Sequence, residues 1–254
     1  MGDRVRAQNI EIDKEKTKKF FDARSKKKLP YLYNYTNYQD KSPELVLQRD
    51  SYEKHKILPV LGIEKDMRVL DIGCGVGRWA ESVLSHGGIY IGADYSESLL
   101  ALAREACGAI TDGGSRYDFI CSSFQNLYEN LPVECSAQGF DIIIVNGVMT
   151  YINDNELGKC LDNVDALLKT GGLFYGKEPV SYAERLTLNN VYSDELECDY
   201  SAIYRSVEEY EKLWAAFGEK YVLLQKGRMY ESALNNRKET GAYYWVMRKV
   251  CEKD

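Results

Sequence analysis

Between Arg68 and Gly176 the chain alternates short, continuously apolar runs with amphipathic stretches, and that alternation leaves few folds open. Arg68 to Ile72, Ile89 to Asp94, Tyr117 to Cys121, Phe140 to Val145 and Leu173 to Gly176 read as strands. Arg78 to His86, Ser96 to Cys107 (capped by Ser96) and Asp154 to Leu168 have helical spacing. Strands that are apolar on both faces belong in a parallel sheet covered on both sides, because each parallel connection needs a crossover. Ahead of this block, Ser42 to Leu61 reads as a helix entered through Pro43, with Leu45, Leu47, Tyr52, Ile57, Leu58 and Leu61 as its buried face. Behind it, a helix at Val207 to Phe217 precedes Tyr221 to Gln225 and Ala242 to Arg248, two strands with no helix between them. Such a pair closes a sheet edge in antiparallel fashion. A chain of 254 residues accommodates one α/β domain of this kind with an insert, not two full domains.

The first strand of the block runs into Asp71-Ile72-Gly73-Cys74-Gly75-Val76-Gly77, a glycine-rich turn that opens a helix. This device brings backbone close to a ligand, and several nucleotides use it. The dinucleotide fingerprint is G-x-G-x-x-G/A, whereas the spacing here is G-x-G-x-G with Arg78 in the third fingerprint position. Asp71, just before the turn, opposes a pyrophosphate at the helix N-terminus but suits a cation. Asp94 stands 23 positions later, at the end of the next strand, where a carboxylate can accept from both ribose hydroxyls.

Val69 to Gly77 resembles motif I of the class I S-adenosylmethionine-dependent methyltransferases, and Asp94 is similar to their ribose-binding acid. Phe140 to Tyr151 resembles their fourth-strand motif, and Leu167 to Gly176 their helix–Gly-Gly–fifth-strand segment. The resemblance implies a Rossmann-like, seven-stranded, mostly parallel sheet with an antiparallel last strand and helices on both faces. It implies S-adenosyl-L-methionine as cofactor, whose sulfonium and ammonium suit Asp71. Backbone at Gly73, Cys74, Gly75 and Gly77 would cradle the methionine part, with Asn146 and Gly147 near its amino group. Asp94 and Tyr95 would hold the ribose, and Ser123 and Phe124 would neighbour the adenine. Many members carry an Asp there, where this chain has Ser122-Ser123-Phe124-Gln125.

Methyl transfer from a sulfonium needs alignment, exclusion of water and removal of a proton from the acceptor. Glu178, after the fifth strand, is a candidate base, with a structural pairing to Lys177 or Arg185 as the alternative. Tyr151 stands where relatives place a pocket aromatic. His55, on the helix before motif I, could reach the cleft or simply sit on the surface. Tyr33, Tyr35 and Tyr38 are further aromatic candidates for a cationic ligand. The Asn/Asp-Pro-Pro-aromatic motif of amino-directed nucleic-acid methyltransferases is absent, since Asn146-Gly147-Val148-Met149 follows the fourth strand. No clustered carboxylates suggest a catechol-type magnesium site, so a small-molecule hydroxyl or amine acceptor remains. Two alternatives stay open: a methyltransferase-fold partner or sensor that binds the cofactor without using it, and a nicotinamide-dependent oxidoreductase.

The organisation expected is an N-terminal segment, residues 1–41, and a methyltransferase domain, residues 42–254, with an acceptor-pocket insert at 179–204. Lys14 to Lys28 holds eight basic residues against two acids, which suits either a solvated helix face or a lid over an anionic acceptor. In the insert, Tyr192, Asp194, Glu195, Glu197, Asp199 and Tyr200 suit either an acceptor wall or a solvated acidic loop. A net charge of −6 argues against nucleic acid as partner. No apolar run reaches the roughly 18 residues of a membrane span. Seven cysteines with no Cys-x-x-Cys pair are expected to be reduced thiols of a cytoplasmic protein rather than metal ligands. Oligomeric state is not legible.

Overall fold

The computed structural model describes residues 2–110 and 116–250. In chain order, strand β1 (Asp3–Arg6), helix α1 (Lys14–Arg24) and a 3₁₀ turn at Leu32–Tyr35 precede helix α2 (Glu44–Leu61). Then come β2 (Arg68–Ile72), α3 (Ala80–Ser85), β3 (Ile89–Asp94), α4 (Glu97–Gly108) and β4 (Tyr117–Cys121). Two short helices, α5 (Leu127–Asn130) and α6 (Val133–Gln138), lead to β5 (Phe140–Asn146), α7 (Asp154–Leu167) and β6 (Leu168–Ser181). A hairpin, β7 (Leu186–Ser193) and β8 (Cys198–Tyr204), is followed by α8 (Val207–Trp214), β9 (Tyr221–Arg228) and β10 (Thr240–Lys249).

The main sheet has seven strands in the order β4-β3-β2-β5-β6-β10-β9. β2 pairs in parallel with β3 and β5, and β5 in parallel with β6, while β10 is antiparallel to both β6 and β9. The last strand thus slots inside the sheet and leaves β9 at the edge. Period-two alternation splits the buried side chains between two cores. Leu70, Ile72, Ile143, Val145 and Phe174 face α7 and α8, and Val69, Tyr90, Ile142, Ile144 and Tyr175 face α2, α3 and α4. Asp71, one residue on from Leu70, therefore shares a side with Val69 and Tyr90.

β6 is much longer than Leu173 to Gly176. β10 pairs along it from Arg248↔Leu173 to Thr240↔Ser181, and that ladder carries Glu178 within the strand rather than beyond it. The insert is a β-hairpin, and β1 adds to its β7 edge, with Asp3 opposite Asn189 and Arg6 opposite Leu186. Nothing in four mostly exposed residues announces a partner so distant in the chain. In α2 the buried face is Val46, Asp50, Glu53, Ile57 and Leu61, while Leu47 is exposed. The stripe expected from the leucines is rotated, and two acids lie in the true one. Ser96 precedes α4, but its hydroxyl donates to Asp22 Oδ1 at 3.0 Å and ties α1 to α4. None of the described helices is long and apolar enough to cross a membrane.

Candidate active site

The glycine turn owes its shape to what crowds it. Gly73 and Gly75 have φ of +69° and +55°, in the left-handed region that L side chains avoid. A Cβ on Gly73 would come within 2.2 Å of Val148 Cγ2, and one on Gly75 within 2.3 Å of Thr36 Cγ2. The turn is therefore sandwiched between the loop after β5 and the N-terminal segment. Its donors face inward. Gly73 N and Cys74 N donate to Ala93 O at 2.7 and 3.0 Å, and Gly75 N donates to Asp94 Oδ2 at 2.9 Å. A phosphate loop aims its N–H groups at the ligand; this one spends them on the fold, which fits a cationic ligand.

A cavity of about 650 Å³, within the usual range for small-molecule sites, opens beside the turn. Asp71, Gly73, Cys74, Asp94 and Tyr95 line its base, with Ser123 and Phe124 to one side and Asn146 and Gly147 to the other. Gly75 and Gly77 shape the turn without lining the cavity; Gly77 packs against Ala103 and Phe119. Phe21, Thr36, Tyr38 and Gln39 come from the N-terminal segment, and Tyr151, Tyr200 and Tyr204 from the turn after β5 and from β8. The Tyr151 hydroxyl lies 2.7 Å from that of Tyr200 and donates to that of Tyr38 at 3.3 Å. Burial pushes all three phenols well up, so they stay protonated.

Burial raises Asp71 to about 7, with the Tyr90 hydroxyl donating to its Oδ2 at 2.7 Å. Burial likewise raises Asp94 to about 6, although Ser96 N and Gly75 N both donate to it at 2.9 Å. Two buried carboxylates with no cation of their own make this end of the cavity receptive to positive charge. Tyr95 OH, Trp79 Nε1 and Asn146 Oδ1 are buried without a hydrogen-bond partner among the described residues, and all three residues line the cavity.

A cluster that sequence reasoning missed borders the same cavity. Glu53 of α2, wholly buried, accepts from Arg78 Nη2 at 3.0 Å, Tyr175 OH at 2.8 Å and Asn146 Nδ2 at 3.2 Å, and also from Lys177 Nζ. Burial alone would raise its carboxyl, but Arg78 and Lys177 hold it down at about 2. Burial lowers Lys177 to about 8 despite the pairing. Asp50 takes Arg78 Nη1 at 2.7 Å. The signal was present: Asp50 and Glu53 keep helical register with Val46, Ile57 and Leu61.

Two of the three candidate catalytic groups lie elsewhere. Glu178 is wholly buried and does not line the cavity; its carboxylate accepts from Val148 N, Met149 N and Thr150 N at 3.0, 3.1 and 3.2 Å. It fastens the turn that carries Tyr151. Neither partner suggested for it serves, since Lys177 pairs with Glu53 and Arg185 with Asp154. His55 is exposed on α2 and also lies off the cavity. Tyr151 does line it. In the insert, Tyr200 and Glu195 line the cavity, while Tyr192, Asp194, Glu197 and Asp199 are exposed. Tyr35 instead donates to Lys27 O at 2.8 Å, and Tyr33 packs under Lys54. Cys74, Cys121, Cys135, Cys160 and Cys198 are free thiols, and Cys251 lies outside the described residues.

Residues 69–172 match the family model described as a methyltransferase domain. That segment carries a methyltransferase domain. The domain's cofactor is S-adenosyl-L-methionine, and a turn whose N–H donors are already engaged, two buried carboxylates and the orphaned Asn146 Oδ1 fit such a group. The chain is 25% identical over 216 residues to phosphoethanolamine N-methyltransferase 1 of Triticum aestivum, covering 81% of this chain and 40% of the relative. It is 31% identical over 111 residues to a ubiquinone biosynthesis O-methyltransferase of Coxiella burnetii, covering 44% and 43%. The chain thus spans less than half the length of these curated relatives. Among solved structures, phosphoethanolamine N-methyltransferase 1 of Haemonchus contortus, in complex with phosphoethanolamine and S-adenosylhomocysteine, superposes with a TM-score of 0.68 at 20% identity. That match covers 94% of this chain and 49% of the other and shows a shared fold.

Proposed function

We propose that the protein transfers a methyl group from S-adenosyl-L-methionine to a hydroxyl or amine of a small molecule. The observation that carries this reading is the continuity of one cavity from the glycine turn, past Asn146, to the wall of Tyr38, Tyr151 and Tyr200. When bound, the cofactor supplies an electrophilic methyl on a sulfonium. Asp94 and Tyr95 hold the ribose end, Ser123 and Phe124 border the adenine, and Gly73, Cys74, Asn146 and Gly147 surround the methionine end. Gly75 and Gly77 give the turn its path. Residues 1–41 serve as a lid: Phe21, Thr36 and Tyr38 cover the cavity and exclude water. The protonated phenols orient the acceptor by donating hydrogen bonds, and the turn bearing Tyr151 owes its position to Glu178.

The acceptor side is not wholly neutral, since Arg49 and Arg237 also line the cavity. An acceptor that joins an amine to an anionic group suits them, and phosphoethanolamine belongs in the test panel for that reason. The test is release of S-adenosylhomocysteine from the purified protein against a panel of small amines, phenols and phosphorylated amines. Turnover that depends on one class is expected. Tight cofactor binding with no methylated product across the panel would replace an enzyme with a cofactor-binding partner or sensor.

A further inference from the structure

We propose that Glu53 is a positioning residue for the cofactor and acts through Asn146; this rests on the cofactor reading of the cavity. An asparagine amide is ambivalent, because it can turn either its NH₂ or its carbonyl toward a neighbour. Glu53 removes the ambivalence. Its Oε1 accepts from Asn146 Nδ2 at 3.2 Å, and Arg78 and Lys177, both paired with it, keep the carboxylate ionised and able only to accept. The donor end of Asn146 is thereby committed to α2, and the carbonyl end is the one left for a ligand. That oxygen is buried and has no partner among the described residues, on a residue that lines the cavity beside Gly147. An ammonium supplies the missing donor, in a charge-assisted hydrogen bond.

The same carboxylate has a second effect. Arg78 and Lys177 both line the cavity; Asp50 also pairs with Arg78, but without Glu53 the charge of Lys177 would repel the sulfonium and ammonium that the turn is built to receive. Glu53 lies 18 positions before Asp71, outside the glycine turn and outside every segment that resembles the family motifs. Its remaining bonds come from Tyr175 OH at 2.8 Å and Tyr230 OH at 3.4 Å.

The test separates the amino-acid end of the ligand from its adenosine end. Calorimetry with S-adenosylhomocysteine is set beside 5′-deoxy-5′-methylthioadenosine, which keeps the adenosine and thioether but has no ammonium. Glu53→Gln can present either end to Asn146, and it should weaken S-adenosylhomocysteine by about tenfold or more while methylthioadenosine stays within about twofold. Asn146→Ala should show the same selective loss, and the double variant should lose less than the product of the two single losses. Unchanged S-adenosylhomocysteine affinity in Glu53→Gln, or equal loss for both ligands, would overturn the positioning role. Should Glu53→Gln fail to fold, Glu53→Asp keeps the charge for Arg78 and Lys177 but withdraws the carboxylate from Asn146, and it is held to the same two readouts. A wild-type protein that binds neither ligand would instead overturn the cofactor reading itself.

Discussion

The two ends of the cavity are built by opposite means. The end proposed for the methyl donor is backbone: one turn between β2 and α3, with carboxylates at two strand tips, contributed by residues 71 to 95 and fixed by the parallel sheet. The acceptor end is side chain: Tyr38, Tyr151 and Tyr200 come from three remote parts of the chain and meet at their hydroxyls. A backbone site tolerates little variation, because Gly73 N, Cys74 N and Gly75 N tie the turn directly to β3. A side-chain wall can be re-cut one residue at a time, which suits the half of a transferase that differs from relative to relative.

That contrast can be broken most severely at Gly75. Gly75→Val forces a β-branched residue to φ +55° against Thr36 and should weaken S-adenosylhomocysteine on the order of a hundredfold. Near-normal affinity by calorimetry would mean that the donor end is not built on that turn. Glu178→Gln comes next. An amide cannot accept three N–H groups as a carboxylate does, so stability should drop by about 1–3 kcal/mol, and turnover should fall with cofactor affinity held. A cofactor affinity that falls in step would show the two ends to be one mechanical unit.

Protonation sharpens the comparison further. Asp71 and Asp94 are raised by burial to about 7 and about 6 from an ordinary 3.8, so whatever stability they add to the free protein is present below pH 4 and is lost as pH rises through 6 to 7. A cationic ligand favours their ionised forms. Binding of S-adenosyl-L-methionine, which carries the sulfonium, should therefore release protons between pH 6 and 7, and its affinity should fall as pH drops below about 6. Calorimetry in buffers of different ionisation enthalpy reads this directly, and equal heats in all of them would exclude the coupling. The smallest effect belongs to the acceptor end. Tyr200→Phe removes one hydroxyl contact, about 0.5–1.5 kcal/mol, and should raise the acceptor KM several-fold while sparing cofactor affinity. A loss of cofactor affinity of the same size would place Tyr200 at the donor end.

The same division governs what the sequence discloses. β2, β3 and β5 announce themselves as apolar runs, and the turn between β2 and α3 is contiguous, so Asp71, Gly73 and Asp94 were legible with their surroundings. Tyr38 and Tyr200 stand 162 positions apart, and no local periodicity relates them. Glu178 was placed by a strand end expected at Gly176 that proved to lie five residues further on, at Ser181, so a residue expected at the rim lies within the strand. Glu53 was hidden for another reason. On an amphipathic helix, acids are assigned by habit to the wet face, and the leucines at 45 and 47 pulled the expected stripe away from the register that Val46 and Ile57 keep.

The interior position of β10 governs the order in which the protein can fold. Residues 240–249 pair with residues 173–181 on one side and 221–228 on the other. β1 likewise waits for residues 186–189 before it has any partner. During synthesis the glycine turn and its neighbouring strands can collapse early, but β9 has no strand to join until residue 249 has been added. Contacts that span so much chain slow the search and leave an unpaired, partly apolar edge exposed in the meantime. Completion of β10, rather than the appearance of motif I, is then the event that commits this protein to its native state.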